Sequence, residues 1–331
     1  MPPKISIIIP VHNGEATLDE CLRALHRNDY LNREIIVVDD VSTDRSVEIA
    51  RANAATIIML DEKSGPATAR NWGALAATGD ILFFIDADVK VPSDALSLVS
   101  CAFEDTSVEA ITGLFSDIQR YKNFSSEYKN LWMNHTYEKL EGTVSVFYTS
   151  GAAVLRDVFL DVGNFDENYR RPSIEDTDFG HRLKEDGHDI YINKGLAVEH
   201  IKKYSLRSML QTDFMRSAAL TKLFIRRGLI LRNHTNSTSV PGTFIISVFL
   251  LFACLLFLVT GSMFTKNEIC VAAGILYVLF LAANHSFLKS LLRKKGLGFL
   301  LKSIPVITVD TLVAGLGVAT GCIGYMMGER Y

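Results

Sequence analysis

Two carboxylates one residue apart, Asp86 and Asp88 around Ala87, follow directly on the apolar run Ile81 to Ile85. So short an apolar run reads as a buried strand. Two acids at its end can turn toward one cavity, which is the oxygen-rich setting that Mg2+ or Mn2+ prefers. A cation held there neutralises a diphosphate leaving group, whereas the plainer alternative is a solvated turn. A second acidic pair, Asp39-Asp40, ends the run Glu34 to Val38. A third group, Glu175-Asp176-Thr177-Asp178, precedes a helical stretch that carries Phe179 and Leu183 and stops at Gly187, with Asp178 placed to cap it.

The elements that must position these acids alternate along the chain. Ile5 to Pro10 is β-branched and closed by a proline, so it reads as a buried parallel strand. Apolar residues at Ala16, Leu18, Cys21, Leu22 and Leu25 then make a helical stripe between Glu15 and Asn28. Strand Glu34 to Val38 leads to a helix from Ser46 to Asn53, with its N-cap among Ser42 to Asp44. Strand Thr56 to Leu60, a Gly-Pro loop, helix Ala67 to Ala77 and strand Ile81 to Ile85 follow. This alternation predicts an open, Rossmann-like α/β sheet with helices on both faces. Ligands in such sheets bind beyond the carboxyl ends of the strands, where Asp39, Asp40, Asp86 and Asp88 fall.

Of the 331 residues 48% are hydrophobic, more than in most soluble enzymes of this size. The net charge of -3 conceals a division: acids dominate the first two hundred residues, and bases collect before and between the apolar C-terminal runs. Nothing in that balance indicates a nucleic-acid partner. The five cysteines, Cys21, Cys101, Cys254, Cys270 and Cys322, are scattered without metal-type spacing, which fits a reducing compartment and no structural disulfide. The run after Lys4 is too short for a signal-peptide core, so the N-terminal part is expected in the cytoplasm.

Five strings occur in order: SIIIPVHNGEATLDECLRAL, EIIVVDDVSTDRS, GPATARNWGALAATGDILFFIDAD, SGAAVLRDVFLDVGNFDE and IEDTDFGHRLKEDG. Over roughly residues 4 to 200 the chain thereby resembles the family 2 inverting glycosyltransferases of the GT-A fold. The resemblance implies a nucleotide-diphospho-sugar donor, often UDP-linked. It places Pro10, His12 and Asn13 at the nucleotide loop and Asp39 at the base or ribose, with Asp40 as its neighbour. Lys63 and Arg70 would line the nucleotide and phosphates, Lys63 having a surface salt bridge as its alternative role. Asp86 and Asp88 would serve the donor and its Mg2+ or Mn2+, and His200, after the string LAVEH, would complete the metal site. Ser150 and Gly151, with Ala152, would lie beside the donor sugar, where small residues let the backbone approach. Inversion needs a base for the acceptor hydroxyl, and the matching acid is Asp176, with Glu175 positioning the acceptor. The QxxRW pattern of processive synthases is absent, which favours one sugar per reaction.

After about residue 205 the character changes. Between Ile201 and Arg232 there are eight Lys or Arg and one acid among apolar residues, which reads as basic amphipathic helices at a membrane surface across 205-240. Three apolar stretches, 243-264, 269-288 and 304-327, each reach the roughly 20 residues that cross a bilayer. Lys289, Arg293, Lys294, Lys295 and Lys302 make the loop between the second and third cytoplasmic. The expected organisation is a catalytic domain over 1-204, interfacial helices over 205-240 and a membrane domain over 241-331 with Asp310 inside its third span. The enzyme domain is then cytoplasmic, on a bacterial or archaeal inner or plasma membrane, and a homo-oligomer is compatible with this. That arrangement resembles the polyprenyl-phosphate glycosyltransferases and implies a lipid acceptor. Two alternatives stand beside it: transfer to a surface polysaccharide with the spans only an anchor, and an inactive membrane scaffold that keeps the fold.

Overall fold

The computed structural model describes residues 2–228, 243–263 and 267–331. They form two compact units, the first ending at Lys203 and the second running from Tyr204 to Tyr331.

The first unit opens with β1 (Ile5–Val11), α1 (Leu18–His26), β2 (Arg33–Asp39), α2 (Ser46–Ala52), β3 (Thr56–Met59), α3 (Pro66–Ala76) and β4 (Ile81–Phe84). It continues with β5 (Val89–Lys90), α4 (Ala95–Ala102), β6 (Ala110–Phe115), α5 (Phe124–Glu138), β7 (Thr143–Val144), β8 (Ala152–Leu155), α6 (Arg156–Asp161), α7 (Glu175–Glu185) and β9 (Ile190–His200). The strands make one nine-stranded sheet in the order β3-β2-β1-β4-β8-β6-β9-β5, with β7 on β9. The expected strands are all present, and the sheet is mixed. Parallel pairing joins β1, β2, β3 and β4, but β8 runs antiparallel to both β4 and β6.

β1 is buried at every position because neighbours cover both its edges and helices its faces. Pro10, which has no N–H to give, is tolerated because β4 pairs only with Ile5 to Ile8 and has left the ladder by that point. At the opposite end of the sheet Glu34 ties three segments together. It accepts from Ser6 Oγ (2.5 Å), Lys4 Nζ (3.0 Å) and the Thr78 N–H (2.8 Å). Burial pushes its pKa up, but the bonds from Ser6, Thr78 and Lys4 outweigh that and hold it at about 2.

Two helix starts differ from expectation. α2 begins after Arg45, and the capping bond comes from Asp44, whose carboxylate accepts from the Ser46 N–H at 3.0 Å. Asp178 is no cap: α7 begins three residues earlier, at Glu175, and Asp178 sits one turn from Arg182, with 3.5 Å between carboxylate and guanidinium.

The second unit holds α8 (Leu206–Arg226), α9 (Phe244–Met263), α10 (Asn267–Ala283), α11 (His285–Lys295) and α12 (Leu297–Met326). α9 and α12 are long and apolar enough to cross a membrane, and a third crossing exists if α10 and α11, bent by 63°, count as one. The stretch expected over 269-288 is therefore split at Asn284, and the one expected over 304-327 is a helix that starts at Leu297. Ser205 caps α8 through the Ser208 N–H at 3.1 Å. The rest of the stretch expected as interfacial helix, 229–240, lies outside the described residues.

Candidate active site

At the carboxyl end of β2 the strand's alternation separates two identical neighbours. Asp40 turns into the protein and accepts from the backbone N–H groups of Ser64 (2.7 Å) and Gly65 (3.0 Å), which clamps the loop leading into α3. Asp39, 2% exposed, accepts from the Ser42 N–H through Oδ2 (3.1 Å), while its Oδ1 is buried with no hydrogen-bond partner. An unpaired buried carboxylate oxygen is costly unless a ligand supplies the donor.

The loop after β1 is stitched to the loop after β2. Asn13, at φ 53°, receives the Thr43 N–H (2.8 Å) on its side chain and gives its own N–H to Ser42 Oγ (2.9 Å). His12 Nδ1 lies 2.7 Å from the Asp40 carbonyl, so it carries the proton, and Nε2 accepts from Lys63 Nζ at 2.8 Å. Lys63 thus reaches this loop rather than a carboxylate.

Register sets the other side. β8 pairs with β4 so that Ala152 faces Phe84, and extending that register by two residues brings Ser150 opposite Asp86. Ser150 Oγ donates to Asp86 Oδ2 at 2.5 Å. The other oxygen of Asp86 accepts from Arg70 Nη2 at 2.7 Å, and Nη1 of the same guanidinium donates to Glu175 Oε1 at 2.7 Å. Arg70 is 4% exposed in its side chain and lies over the Phe165 ring. Burial alone would lower its pKa; Asp86 and Glu175 together raise it and keep it charged.

Asp86 and the helix bearing Asp176 are therefore joined through one buried cation. Glu175 also accepts from the Ser173 N–H (3.0 Å), and Asp176 Oδ1 accepts from the Thr177 N–H (2.6 Å) and hydroxyl (3.2 Å). Three acids in the first turn of α7 suit the positive end of a helix. Beneath α7, Phe84, Phe147, Phe159, Phe165 and Phe179 pack with ring centroids 5.0 to 6.4 Å apart. Gly180 brings α7 against the 145–147 backbone, since a Cβ there would stand 2.5 Å from the Ser145 carbonyl oxygen.

Asp88 belongs to a different neighbourhood. β5 pairs Val89 with His200, and the Ile201 N–H donates to the Asp88 carbonyl at 2.7 Å. His200 Nε2 lies 3.3 Å from Asp88 Oδ2. Burial would raise the Asp88 pKa, but His200 and then Lys202 hold it down at about 2. Of the three expected metal ligands, the structure brings Asp88 and His200 together and gives both oxygens of Asp86 to Ser150 and Arg70. No group of three or more His, Cys, Asp or Glu able to hold a metal ion occurs among the described residues. One carboxylate and one imidazole are a donor set that would suit a divalent cation, Asp88 and His200 supplying two of its ligands. Gly151 has a packing role, because a Cβ there would meet Val198 Cγ1 at 3.1 Å.

One residue that sequence reasoning passed over is Asn71. Its side chain behaves like a length of strand, donating to the Phe165 carbonyl (2.9 Å) and accepting from the Phe165 N–H (3.0 Å), with Glu167 as a third partner (2.9 Å). Gly65 completes this seam: at φ 92° it starts α3, and a Cβ there would stand 2.5 Å from the Arg170 carbonyl oxygen. The only local sign of either is a Gly-Pro and an Asn flanking Arg70.

This mixed sheet with acids at its strand ends is the GT-A fold. The mannosyltransferase PcManGT of Pyrobaculum calidifontis, solved with GDP-Man and Mn2+, superposes on 99% of this chain and 89% of its own with a TM-score of 0.59 at 17% identity. TarS 1-349 of S. aureus, in complex with UDP-GlcNAc, does so over 99% and 93% with a TM-score of 0.53 at 15% identity. Residues 6–163 match the sequence model of Glycosyl transferase family 2 and form a domain of that family. Glycosyltransferase GlyA of Streptococcus pneumoniae is 26% identical over 246 residues, 70% of this chain and 35% of GlyA. The first curated relatives are matched over about two fifths of their length or less.

Proposed function

We propose that this chain is an inverting glycosyltransferase that moves one sugar from a nucleotide-diphospho-sugar to a membrane lipid such as a polyprenyl phosphate, at the cytoplasmic face. The observation that carries the donor side is the buried, partnerless Oδ1 of Asp39, beside a loop whose other polar groups are already engaged. A ribose hydroxyl or a base N–H is the donor it lacks. Asp86, oriented by Arg70 and Ser150, faces the sugar, and Asp88 with His200 would hold the cation, a mixed O and N set that suits Mn2+ better than Mg2+. Bound there, the cation supplies charge neutralisation for the departing diphosphate. Asp176 takes the proton of the acceptor hydroxyl as the sugar is attacked, its carboxylate held in place by Thr177. If the acceptor is a phosphate oxygen, it is nucleophilic already and this base matters less. The lipid assignment draws on α9 and α12, the two long apolar helices of the second unit.

Membranes containing the protein are incubated with labelled UDP- or GDP-sugars and Mn2+, then extracted with organic solvent. Label in the organic phase that disappears in Asp88→Ala supports the reading, and label confined to water-soluble polymer replaces the lipid with a glycan acceptor. With an acceptor hydroxyl, Asp176→Asn is expected to slow transfer by about 10²- to 10⁴-fold while the donor still binds, and with an acceptor phosphate by less. Transfer at the parental rate removes Asp176 as the base.

A further inference from the structure

The second unit contains a conflict between hydropathy and packing. By composition α12 qualifies as a span, yet along its C-terminal half it lies against α8, which is far too charged to enter a bilayer. A Cβ on Gly317 would stand 2.4 Å from the Phe214 carbonyl oxygen, and one on Gly321 would stand 2.5 Å from that of Ala218. Such spacing lets two helix backbones touch. The two helices run in the same direction and are tied at their ends: Lys222 Nζ reaches Glu329 (2.5 Å) and the Tyr331 carbonyl (2.9 Å), and Arg226 lies over the Tyr331 ring at 4.4 Å. α8 carries Arg207, Asp213, Arg216, Lys222 and Arg226 along its length. An α12 standing across the membrane would carry Arg207, Asp213 and Arg216 to mid-depth beside it, where charges are strongly disfavoured.

The remaining helices show where α12 lies. α9 and α10 form an antiparallel hairpin, joined by Asn284 to Ser247 (2.9 Å) and by the Cys254 thiol to the Ala273 carbonyl (3.2 Å). α12 meets this hairpin near one end. Gly315 abuts Val248 and Phe252 of α9, and Thr308 bonds the Tyr277 hydroxyl of α10 at 3.0 Å. Both contacts fall within about 12 Å of the end where α9 begins and α10 finishes, at 1.5 Å per helical residue. At that same end the chain bends by 63° into α11, whose Lys289, Arg293, Lys294 and Lys295 are exposed. On α12 the exposed apolar side chains Leu297, Leu301, Val309, Leu316, Ile323 and Met326 fall on one face, an arc of roughly 120° at 100° per residue.

We propose that α12 is not a third span: with α8 and α11 it lies in the plane of the membrane, its one-sided apolar face seated on the lipids of the leaflet where α9 enters. Only the α9–α10 hairpin crosses. The bases of α11 complement an anionic lipid surface, and 5 to 10 Å is the depth at which in-plane helices ride. No membrane-crossing helix intervenes between residues 2–203 and α8, so residues 329 to 331, tied to α8, share the side of the first unit. Three crossings would put them on the opposite side.

The test is thiol labelling with a membrane-impermeant maleimide in the full-length chain, independent of sugar transfer. Single-cysteine variants carry Asn267→Cys, Arg330→Cys, or the native Cys101, which is exposed in the first unit. Intact cells are expected to label Asn267→Cys alone, and inverted vesicles to label Arg330→Cys and Cys101. Labelling of Arg330→Cys from outside while Cys101 is protected overturns the proposal, because α12 then crosses. So does failure to label Asn267→Cys from outside, because the hairpin then does not.

Discussion

Replacing Arg70 by Met removes the guanidinium and keeps the aliphatic bulk over Phe165. Glu175, 5% exposed in its side chain, is left with only the Ser173 N–H, while Asp86, 28% exposed, regains some water and keeps Ser150. Removing one partner of a buried pair costs about 3–5 kcal/mol, and the partial hydration of Asp86 favours the lower end. At about 3 kcal/mol, a unit of this size melts roughly 6–12 °C lower. Both tryptophans of the chain, Trp72 and Trp132, belong to the first unit, so thermal unfolding of purified protein in detergent followed by tryptophan fluorescence reads this unit by itself. The variant Arg70→Met/Glu175→Gln, which neutralises the stranded acid, is expected to recover about 1–2 kcal/mol of the loss, because contacting residues do not add independently. A shift of less than about 2 °C for Arg70→Met, or a double variant that equals the sum of the singles, would refute the idea that one cation holds both carboxylates.

Asp39→Asn should weaken binding of the nucleoside diphosphate by about 10- to 100-fold in titration calorimetry, the loss of one hydrogen bond to a charged group; unchanged affinity would mean that Oδ1 meets no part of the nucleotide. The Glu34 carboxyl is depressed from 4.5 to about 2 in the folded chain. Its stabilisation is therefore fully present above pH 4.5 and is lost as pH falls toward 2. Tryptophan-monitored melting temperature should drop across that window in the parent and stay flatter in Glu34→Gln, and equal slopes would remove Glu34 as the cause.

The first four strands and the acids at their ends are legible because fully buried parallel strands write themselves as unbroken β-branched runs closed by polar turns. What cannot be read locally is register between distant segments. Ser150 reaches Asp86 because β8 is antiparallel to β4, and His200 reaches Asp88 through a strand of only two residues; no periodicity in the chain encodes either pairing. Asp39 and Asp40 are indistinguishable as letters, and only the alternation of the strand decides which one keeps a buried, unbonded oxygen and which one clamps the 64–65 backbone. The apolar C-terminal portion is hard to read for a different reason. A hydropathy window runs through Asn284 without noticing the bend, and it scores α12 without seeing α8 beside it.

The seam between α3 and the 165–175 segment bears on how such a site can operate in time. Asn71 holds Phe165 by both backbone groups, Gly65 leaves no room above Arg170, and Arg70 grips Glu175. Opening a gap between α3 and the 165–175 segment would break all of these at once, so the two move as a single block. Substrate entry and exclusion of water must be arranged by other segments, and amide hydrogens along this seam should be among the slowest in the unit to exchange with solvent.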